Sequence, residues 1–129
     1  MSVQSIMTRT VVSASPDTPV REAIQLIDDS DIRHLPIVED NRLIGIVSDR
    51  DLRAFERERS DELLSTPLRE IMSKEPLCLE SGESIVAAID VMLEYKIGAL
   101  PVVGPAGELV GIVSYIDVLR HARPLVSAE

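Results

Sequence analysis

The sequence repeats itself once, and this repeat limits the folds that the chain can adopt. Two segments return 65 residues later: Ile6-Met7 as Ile71-Met72, and Leu35-Pro36-Ile37-Val38 as Leu100-Pro101-Val102-Val103. Segment 43–48 returns as 109–114, which is 66 residues later. One residue has therefore been gained in the intervening turn, where an insertion is tolerated. The chain is two copies of one unit of roughly 65 residues.

Each copy has the same pattern of predicted elements. A short strand at 11–14 or 77–80 precedes a helix whose apolar residues recur at i, i+3, i+4 and i+7. These apolar residues are Val20, Ala23, Ile24 and Ile27 in the first copy, and Ile85, Ala88, Ile89 and Met92 in the second. Thr18-Pro19 is predicted to cap the first of these helices. Two predicted hairpins follow, 35–38 with 43–47 and 100–103 with 109–113, and a second helix begins near Ser48 and near Ser114.

The two copies are expected to fold together. They occupy residues 1–59 and 68–129, with a linker at 60–67. A unit of about 60 residues is marginally stable by itself, and a three-stranded sheet needs a cover on its free face. We therefore expect an α/β fold in which two β-α-β-β-α repeats pack sheet to sheet with pseudo-twofold symmetry. Such packing creates two related clefts between the repeats, and clefts of this kind are the default ligand sites.

The composition excludes several classes of partner. Thirteen Lys and Arg residues against 22 Asp and Glu residues give a formal net charge of −9, which disfavours nucleic acid and anionic membranes. The single cysteine, Cys78, cannot form an internal disulfide. The sequence shows no signal-peptide pattern and no apolar run long enough to span a membrane. We expect a cytoplasmic protein that binds neither nucleic acid nor membrane.

Residue types that carry catalysis or bind metals are few and scattered. Cys78 lies between Leu77 and Leu79, and we predict that it is a small core residue rather than a nucleophile, since no histidine is placed to activate it. The two histidines and the cysteine do not have metal-ligand spacing. The sequence therefore predicts no catalytic residue, no metal site and no enzymatic activity.

Two segments of each copy carry a family pattern. They are Ile32-Arg33-His34-Leu35-Pro36-Ile37-Val38 with Gly45-Ile46-Val47-Ser48-Asp49-Arg50-Asp51-Leu52, and Gly98-Ala99-Leu100-Pro101-Val102-Val103 with Gly111-Ile112-Val113-Ser114-Tyr115-Ile116-Asp117-Val118. The chain resembles the tandem cystathionine-β-synthase (CBS) domain pair, or Bateman module. This resemblance implies the β-α-β-β-α unit, an adenosine-containing ligand in the clefts between repeats, and a homodimer that forms a disk of four repeats. We expect a stand-alone module with an unknown protein target.

The Ser-x-x-Asp segments, Ser48 to Asp51 and Ser114 to Asp117, are the candidate ligand sites, since each lies where a strand enters a helix. A carboxylate there can accept both hydroxyls of a ribose, while the serine hydroxyl and the helix N–H groups can meet a phosphate. The family uses the segment in this way. The same spacing is also a capping box that satisfies the helix start without a ligand. Both interpretations stay open, and they can coexist.

The resemblance also implies which residues complete each site. Ser48 and Asp51 are expected to face Leu77, Gly98 and Ala99, while Ser114 and Asp117 are expected to face Thr10, Val11, Arg33 and His34. Pro36 and Pro101, each two residues beyond His34 and Ala99, are further candidate ligand-binding residues. The apolar side chains of Val11 and Leu77 can pack against the face of a purine. The alternative is that both are ordinary core residues of their strands.

The candidate phosphate ligands are Arg33, His34 and Arg50. The alternatives are a structural or merely exposed imidazole for His34 and an intrahelical salt bridge for Arg50. Gly98 and Ala99 carry no charge, and Ile116 occupies the position equivalent to Arg50. We therefore expect two clefts that are not equivalent.

The leading functional hypothesis is a regulatory module that senses an adenine nucleotide. AMP, ADP and ATP are the expected ligands, ahead of S-adenosylmethionine and NAD, and no cofactor is required. The alternative is a ligand-free dimerisation or protein-interaction module in which both aspartates only cap helices. The sequence does not choose among the adenosine ligands, because their ribose and adenine groups are common to all of them.

Overall fold

The computed structural model describes residues 1–58 and 64–126 and divides the chain into two compact units. The Ser48 unit comprises Val12–Pro76, and the Ser114 unit comprises Met1–Val11 together with the chain from Leu77 onward. Residues 60–63 of the predicted linker lie outside the described residues, as does residue 59 at the end of the first predicted repeat. Each unit is therefore described by itself.

Over its described residues, the Ser48 unit contains two α-helices, a short 3-10 helix (Leu68–Glu70) and one sheet. Its elements in chain order are α1 (Val20–Ser30), β1 (His34–Glu39), β2 (Arg42–Ser48), α2 (Asp49–Glu58) and β3 (Ser73–Lys74). The sheet order is β1-β2-β3, and both pairings are antiparallel. Asp40 and Asn41 form the turn of the hairpin with positive φ angles of 51° and 66°, which Asp and Asn tolerate better than most residues. The predicted hairpin and the two predicted helices are confirmed.

The Ser114 unit has an equivalent pair of helices and an equivalent antiparallel hairpin, but its third strand precedes the first helix. Its elements are β4 (Leu79–Glu80), α3 (Ile85–Tyr95), β5 (Ala99–Val103), β6 (Leu109–Ser114) and α4 (Tyr115–Val126). The sheet order is β4-β5-β6, with β4 parallel to β5 and β5 antiparallel to β6. In the described residues, two three-stranded sheets with four α-helices confirm the α/β fold class and, apart from the strand predicted at 11–14, the predicted order of elements.

Three local predictions need correction. The strand predicted at 11–14 is reduced to a bridge between Ala14 and Ile37, and the one at 77–80 is shortened to β4. Pro19, in extended backbone, occupies the N-cap of α1, so the Thr18 hydroxyl instead accepts a hydrogen bond from the N–H of Ser15 (3.1 Å). Cys78 is exposed rather than part of the core.

The Ile-Met segments complete the sheets. Beyond Ile71-Met72, Ser73 and Lys74 pair with β2, and beyond Ile6-Met7, Thr8 exchanges two backbone hydrogen bonds with Ile112 (2.8 and 2.9 Å). A Cβ added at Gly45 or Gly111 would lie 2.5 Å from the sulfur of Met72 or Met7, respectively. A larger residue at either position would therefore force the methionine side chain to shift. The start of each sequence copy thus belongs to the unit that holds the hairpin of the other copy.

Each unit has its own apolar core. In the Ser48 unit the fully buried side chains include Val20, Leu35, Ile37, Leu52 and Leu68; in the Ser114 unit they include Val3, Leu79, Leu100, Val102 and Val113. The predicted apolar stripe of α1 is buried throughout, and that of α3 is buried except for the half-buried Ile89. These cores hold the hairpins, and therefore the two Ser-x-x-Asp segments, in place.

Candidate functional site

The hairpin of the Ser48 unit brings the candidate residues of the first copy together. In the antiparallel pairing of β1 with β2, His34 lies opposite Ser48, and the N–H of Asp49 donates to the carbonyl of Arg33 (2.8 Å). The residues at the start of β1 therefore lie beside the residues at the end of β2. They line an open pocket of about 420 Å³, a volume in the range of small-molecule sites. This Ser48 pocket is lined by Arg33, His34, Ser48, Asp49, Arg50 and Asp51.

Ser48 begins helix α2 as a cap, but the capping box is not closed. The Ser48 hydroxyl accepts a hydrogen bond from the N–H of Asp51 (3.1 Å). Over residues 1–58 and 64–126, the exposed Asp51 carboxylate accepts no hydrogen bond. Its oxygens are therefore available to a ligand, such as a vicinal diol.

The Ser48 pocket contains two arginines without an ion pair in the part of the chain that the structure describes. Arg33 and Arg50 are both exposed. Asp49, which is half-buried, instead pairs with Arg53 (3.1 Å). The intrahelical salt bridge considered for Arg50 is therefore not formed among these residues. These two guanidinium groups, which lie beside a helix start, offer hydrogen-bond donors to an anion.

His34 is half-buried at the wall of the Ser48 pocket. Burial lowers its pKa; the Asp51 carboxylate opposes this effect, and the Arg33 guanidinium adds to it. The imidazole is therefore neutral at pH 7, and it can accept a proton when an anion approaches.

The equivalent segment of the Ser114 unit forms a closed capping box. The Asp117 carboxylate accepts hydrogen bonds from the N–H and the hydroxyl of Ser114 (2.9 and 3.1 Å), and the Ser114 hydroxyl accepts one from the N–H of Asp117 (3.2 Å). Ala99 lies opposite Ser114, and Gly98 accepts a hydrogen bond from the N–H of Tyr115 (2.9 Å). Gly98 and Ala99 contribute no charged side chain. The hydroxyl of Ser114 and the carboxylate of Asp117 are hydrogen-bonded within their own segment.

Within each unit, the structure brings candidate residues of the same copy together. Arg33 and His34 line the Ser48 pocket, and their expected role opposite Ser114 and Asp117, which belong to the other unit, stays a prediction. Gly98 and Ala99 likewise adjoin Ser114. The reason is the antiparallel pairing within each hairpin, which places the first residue of one strand beside the last residue of the next.

The remaining candidates lie apart from the Ser48 pocket lining. Pro36 and Pro101 are buried within β1 and β5. Thr10 is exposed and Val11 is half-buried in the Ser114 unit, while Leu77 keeps 45% of its surface exposed.

Three further features of the described residues concern metal binding, membrane insertion and the reactivity of the single cysteine. The described residues contain no group of three or more His, Cys, Asp or Glu side chains placed to hold a metal ion. None of the helices in the described ranges has the length and apolar character needed to cross a membrane. Partial desolvation raises the pKa of the Cys78 thiol, as do the carboxylates of Glu83 and Glu80, so the thiolate is disfavoured.

Comparisons with known proteins agree on one family. A family model described as the CBS domain matches residues 3–58 and again residues 68–123. A Vibrio cholerae protein assigned to acetoin utilization, AcuB, is 35% identical with a TM-score of 0.86, covering 98% of this chain and 93% of that one. The crystal structure of CBSX2 in complex with AMP is 30% identical with a TM-score of 0.84, covering 96% and 97%.

Two further similarities concern other ligands and larger proteins. The CBS domain pair of protein MJ0100, in complex with 5′-methylthioadenosine and S-adenosyl-L-methionine, is 25% identical with a TM-score of 0.81, covering 94% of both chains. Inosine-5′-monophosphate dehydrogenase of Korarchaeum cryptofilum is 34% identical over 98% of this chain. The chain spans only 25% of that enzyme, and 22–23% of three other dehydrogenases of the same name.

Proposed function

Because the chain belongs to the CBS domain family, with two copies of the domain, we propose that it is a regulatory module that binds an adenosine-containing ligand at the Ser48 pocket. The observation that carries this proposal is the Asp51 carboxylate, which makes no hydrogen bond in the described chain and lies in one pocket with Arg33, His34 and Arg50. The arrangement offers acceptors for a diol next to donors for an anion.

A nucleotide carries these two groups at a fixed separation. The vicinal hydroxyls of a ribose donate to one carboxylate, and a phosphate accepts from guanidinium and helix N–H groups. AMP, ADP and ATP have both groups, and CBSX2 has been crystallised with AMP. We therefore propose a nucleoside phosphate ahead of S-adenosylmethionine, although the MJ0100 pair shows that a relative at 25% identity takes the latter. NAD also remains a lesser candidate.

The remaining candidate residues are proposed for the adenine end of the ligand. The resemblance alone makes these residues ligand-binding candidates: Leu77, Gly98 and Ala99 for a ligand of Ser48 and Asp51, and Thr10 and Val11 for a ligand of Ser114 and Asp117. A purine needs an apolar face and backbone groups at its edge, and Val11 and Leu77 offer apolar side chains that are not fully buried. The proposed role includes no catalytic step, because binding of the ligand is the signal.

A second candidate function is a ligand-free interaction module. It is favoured by the Ser48 and Ser114 hydroxyls, each of which caps a helix without any ligand. Under this alternative both aspartates contribute only to the stability of the helices.

Isothermal titration of the full chain with AMP, ATP, NAD, S-adenosylmethionine and adenosine tests the proposal, with Asp51→Asn as the matched variant. We expect micromolar binding of AMP or ATP, one ligand per chain, and its loss in Asp51→Asn, because an amide adds donors where the ribose needs acceptors. Absence of heat and of thermal stabilisation with all five compounds would favour the interaction module instead.

A further inference from the structure

Arg53 lies outside the lining of the Ser48 pocket, but it is bonded to a residue of that lining. Its Nε donates to the carboxylate of Asp49 (3.1 Å), which lies one turn earlier on α2. The other two guanidinium nitrogens are also paired, one with Asp28 on α1 and one with Glu56 on α2 (3.5 Å). Carboxylates from two helices therefore hold Arg53 in place, and Arg53 in turn holds the side chain of Asp49.

The position of the Asp49 carboxylate matters because Asp49 lies beside Arg33. The N–H of Asp49 donates to the Arg33 carbonyl (2.8 Å), and both residues line the Ser48 pocket. A carboxylate at this place can pair with the Arg33 guanidinium and can repel an anion that enters the pocket. In the structure it pairs with Arg53 instead, and Arg33 has no ion pair within the described ranges 1–58 and 64–126. The donors of Arg33 are therefore left for a ligand.

The Ser114 unit shows that the fold does not depend on these ion pairs. The positions equivalent to Asp28, Asp49 and Arg53 are uncharged, and they hold Leu93, Tyr115 and Leu119. Ion pairs between exposed side chains contribute little to stability, and those of Arg53 join side chains that are 31–54% exposed. The copy without these ion pairs also lacks an arginine equivalent to Arg33, since Gly98 occupies that position. The ion pairs therefore accompany the arginines of the pocket rather than the fold.

We propose that Arg53 is a positioning residue of the Ser48 pocket, which holds the Asp49 carboxylate and thereby keeps Arg33 available to an anionic ligand. This inference rests on the proposed function for the class of ligand. It goes further by naming a residue outside the pocket lining that sets the preference for a phosphate over an uncharged nucleoside. Without Arg53, Asp49 pairs with Arg33, and this pair must break before a phosphate binds. Adenosine carries no phosphate and is not affected.

The pairing can be tested without any ligand, in a variant that the fold is expected to accept. Arg53→Leu installs the residue that the other copy has at this position, Leu119. NMR of the isotopically labelled full chain follows the Nε–H of Arg33, which is assigned as the signal lost in Arg33→Lys. In Arg53→Leu this N–H should exchange more slowly with water, because a carboxylate now protects it. Adding Asp49→Asn should restore the exchange rate of the wild type.

Titration of the same variants with AMP and with adenosine tests the consequence for binding. Arg53→Leu should weaken AMP binding by up to about fivefold, the size of one exposed ion pair, and leave adenosine binding unchanged. Adding Asp49→Asn to Arg53→Leu should recover most of the AMP affinity. Adding Glu56→Gln instead is the matched control. It restores the same net charge at a partner of Arg53 that lies outside the pocket lining, so AMP binding should stay weak.

Several results would overturn the inference. An unchanged exchange rate of the Arg33 N–H in folded Arg53→Leu does so, and so does an equal loss of AMP and adenosine affinity, which would show that Arg53 only supports α2. Recovery of AMP binding with Glu56→Gln would show that net charge, and not the position of Asp49, sets the affinity. A wild-type chain that binds neither compound contradicts the proposed function instead, and the exchange rate of the Arg33 N–H then decides the inference by itself.

Discussion

The two Ser-x-x-Asp segments have the same sequence pattern and the same place in the fold, but they use their aspartates differently. Asp117 accepts two hydrogen bonds from Ser114 and closes a capping box. Asp51 donates its N–H to Ser48, while its carboxylate accepts no hydrogen bond over the described ranges 1–58 and 64–126. One copy therefore shows the segment as a helix cap, and the other shows it with a free acceptor beside cationic groups.

The residues around the two aspartates also differ between the copies in their charge. Arg33, His34 and Arg50 accompany Asp51, whereas the positions equivalent to them hold Gly98, Ala99 and Ile116. A carboxylate that already accepts hydrogen bonds gains little from a ligand, whereas guanidinium groups without an ion pair can donate to an anion. The same Ser-x-x-Asp pattern therefore leaves its carboxylate without a hydrogen bond among the described residues in one copy and hydrogen-bonded in the other, and the residues that enter the neighbouring strand carry charge only in the first copy.

The largest expected effect is on nucleotide affinity. Asp51→Ala should weaken AMP binding by roughly 10- to 100-fold, because charged hydrogen bonds contribute about 1.5–3 kcal/mol. Asp117→Ala, the matched control, should change the affinity by less than about twofold, because its carboxylate is already used. Titration calorimetry of both variants measures the difference. Equal losses in the two variants would remove the distinction between the copies.

Phosphate recognition should depend on the arginines of the Ser48 pocket. Arg33→Ala should reduce AMP affinity about tenfold, in the range of one charge-assisted hydrogen bond, and leave adenosine affinity unchanged. Arg42→Ala, which removes an exposed arginine outside the pocket, serves as the control. The ratio of AMP to adenosine affinities separates the two effects, and a drop in both affinities would instead indicate damage to the hairpin.

Helix stability should show the opposite ranking. Asp117→Ala should lower the free energy of unfolding by about 1 kcal/mol, the usual contribution of a helix cap. Asp51→Ala should lower it by less than about 0.5 kcal/mol, since Ser48 still caps α2. Urea unfolding without ligand provides the measurement. A larger cost for Asp51→Ala would mean that this carboxylate stabilises the free protein.

The smallest effect concerns pH. Burial lowers the pKa of His34, so the free imidazole is neutral at pH 7, and a bound phosphate should raise that pKa. His34 then takes up a proton when AMP binds. AMP affinity should therefore rise a few-fold as the pH falls through the raised pKa of the bound state. Below the lowered pKa of the free state, His34 is protonated with or without AMP, and the affinity should rise no further. Asp51 and Arg33 act on the same imidazole and oppose each other.

Comparison with His34→Gln isolates this contribution from the titration of the phosphate itself. Calorimetry in buffers of different ionisation enthalpy counts the protons taken up. The same pH dependence in wild type and variant would show that His34 does not contact the phosphate.

Much of the fold could be predicted from the sequence because periodicity and repetition report on it directly. The hairpins and helices follow from apolar spacing and turn residues. The pairing of Ser73 and Lys74 with β2 could not be predicted, since strands this short have no alternation to detect. Cys78 was misassigned because two neighbouring leucines suggested burial, although only Leu79 points into the core.

Five of the six residues that line the Ser48 pocket are candidates from the sequence, and the sixth, Asp49, is not. Pattern matching selected Arg33, His34 and Asp51, while the register of the hairpin, in which His34 lies opposite Ser48, could have placed them together. The difference between the two aspartates depends on side-chain rotamers and hydrogen bonds, about which the identical Ser-x-x-Asp spacing carries no information.

The crossed placement of the Ile-Met segments has a consequence for biosynthesis. The Ser48 unit is one uninterrupted stretch, Val12–Pro76, and its parts are complete when that stretch has left the ribosome. The first eleven residues belong to the other unit and must wait for β6, about a hundred residues later, before Thr8 finds Ile112. The boundaries of the repeated sequence therefore differ from the boundaries of the two compact units. A half-protein intended to fold alone should be cut at 11/12 and 76/77, rather than midway between the two copies.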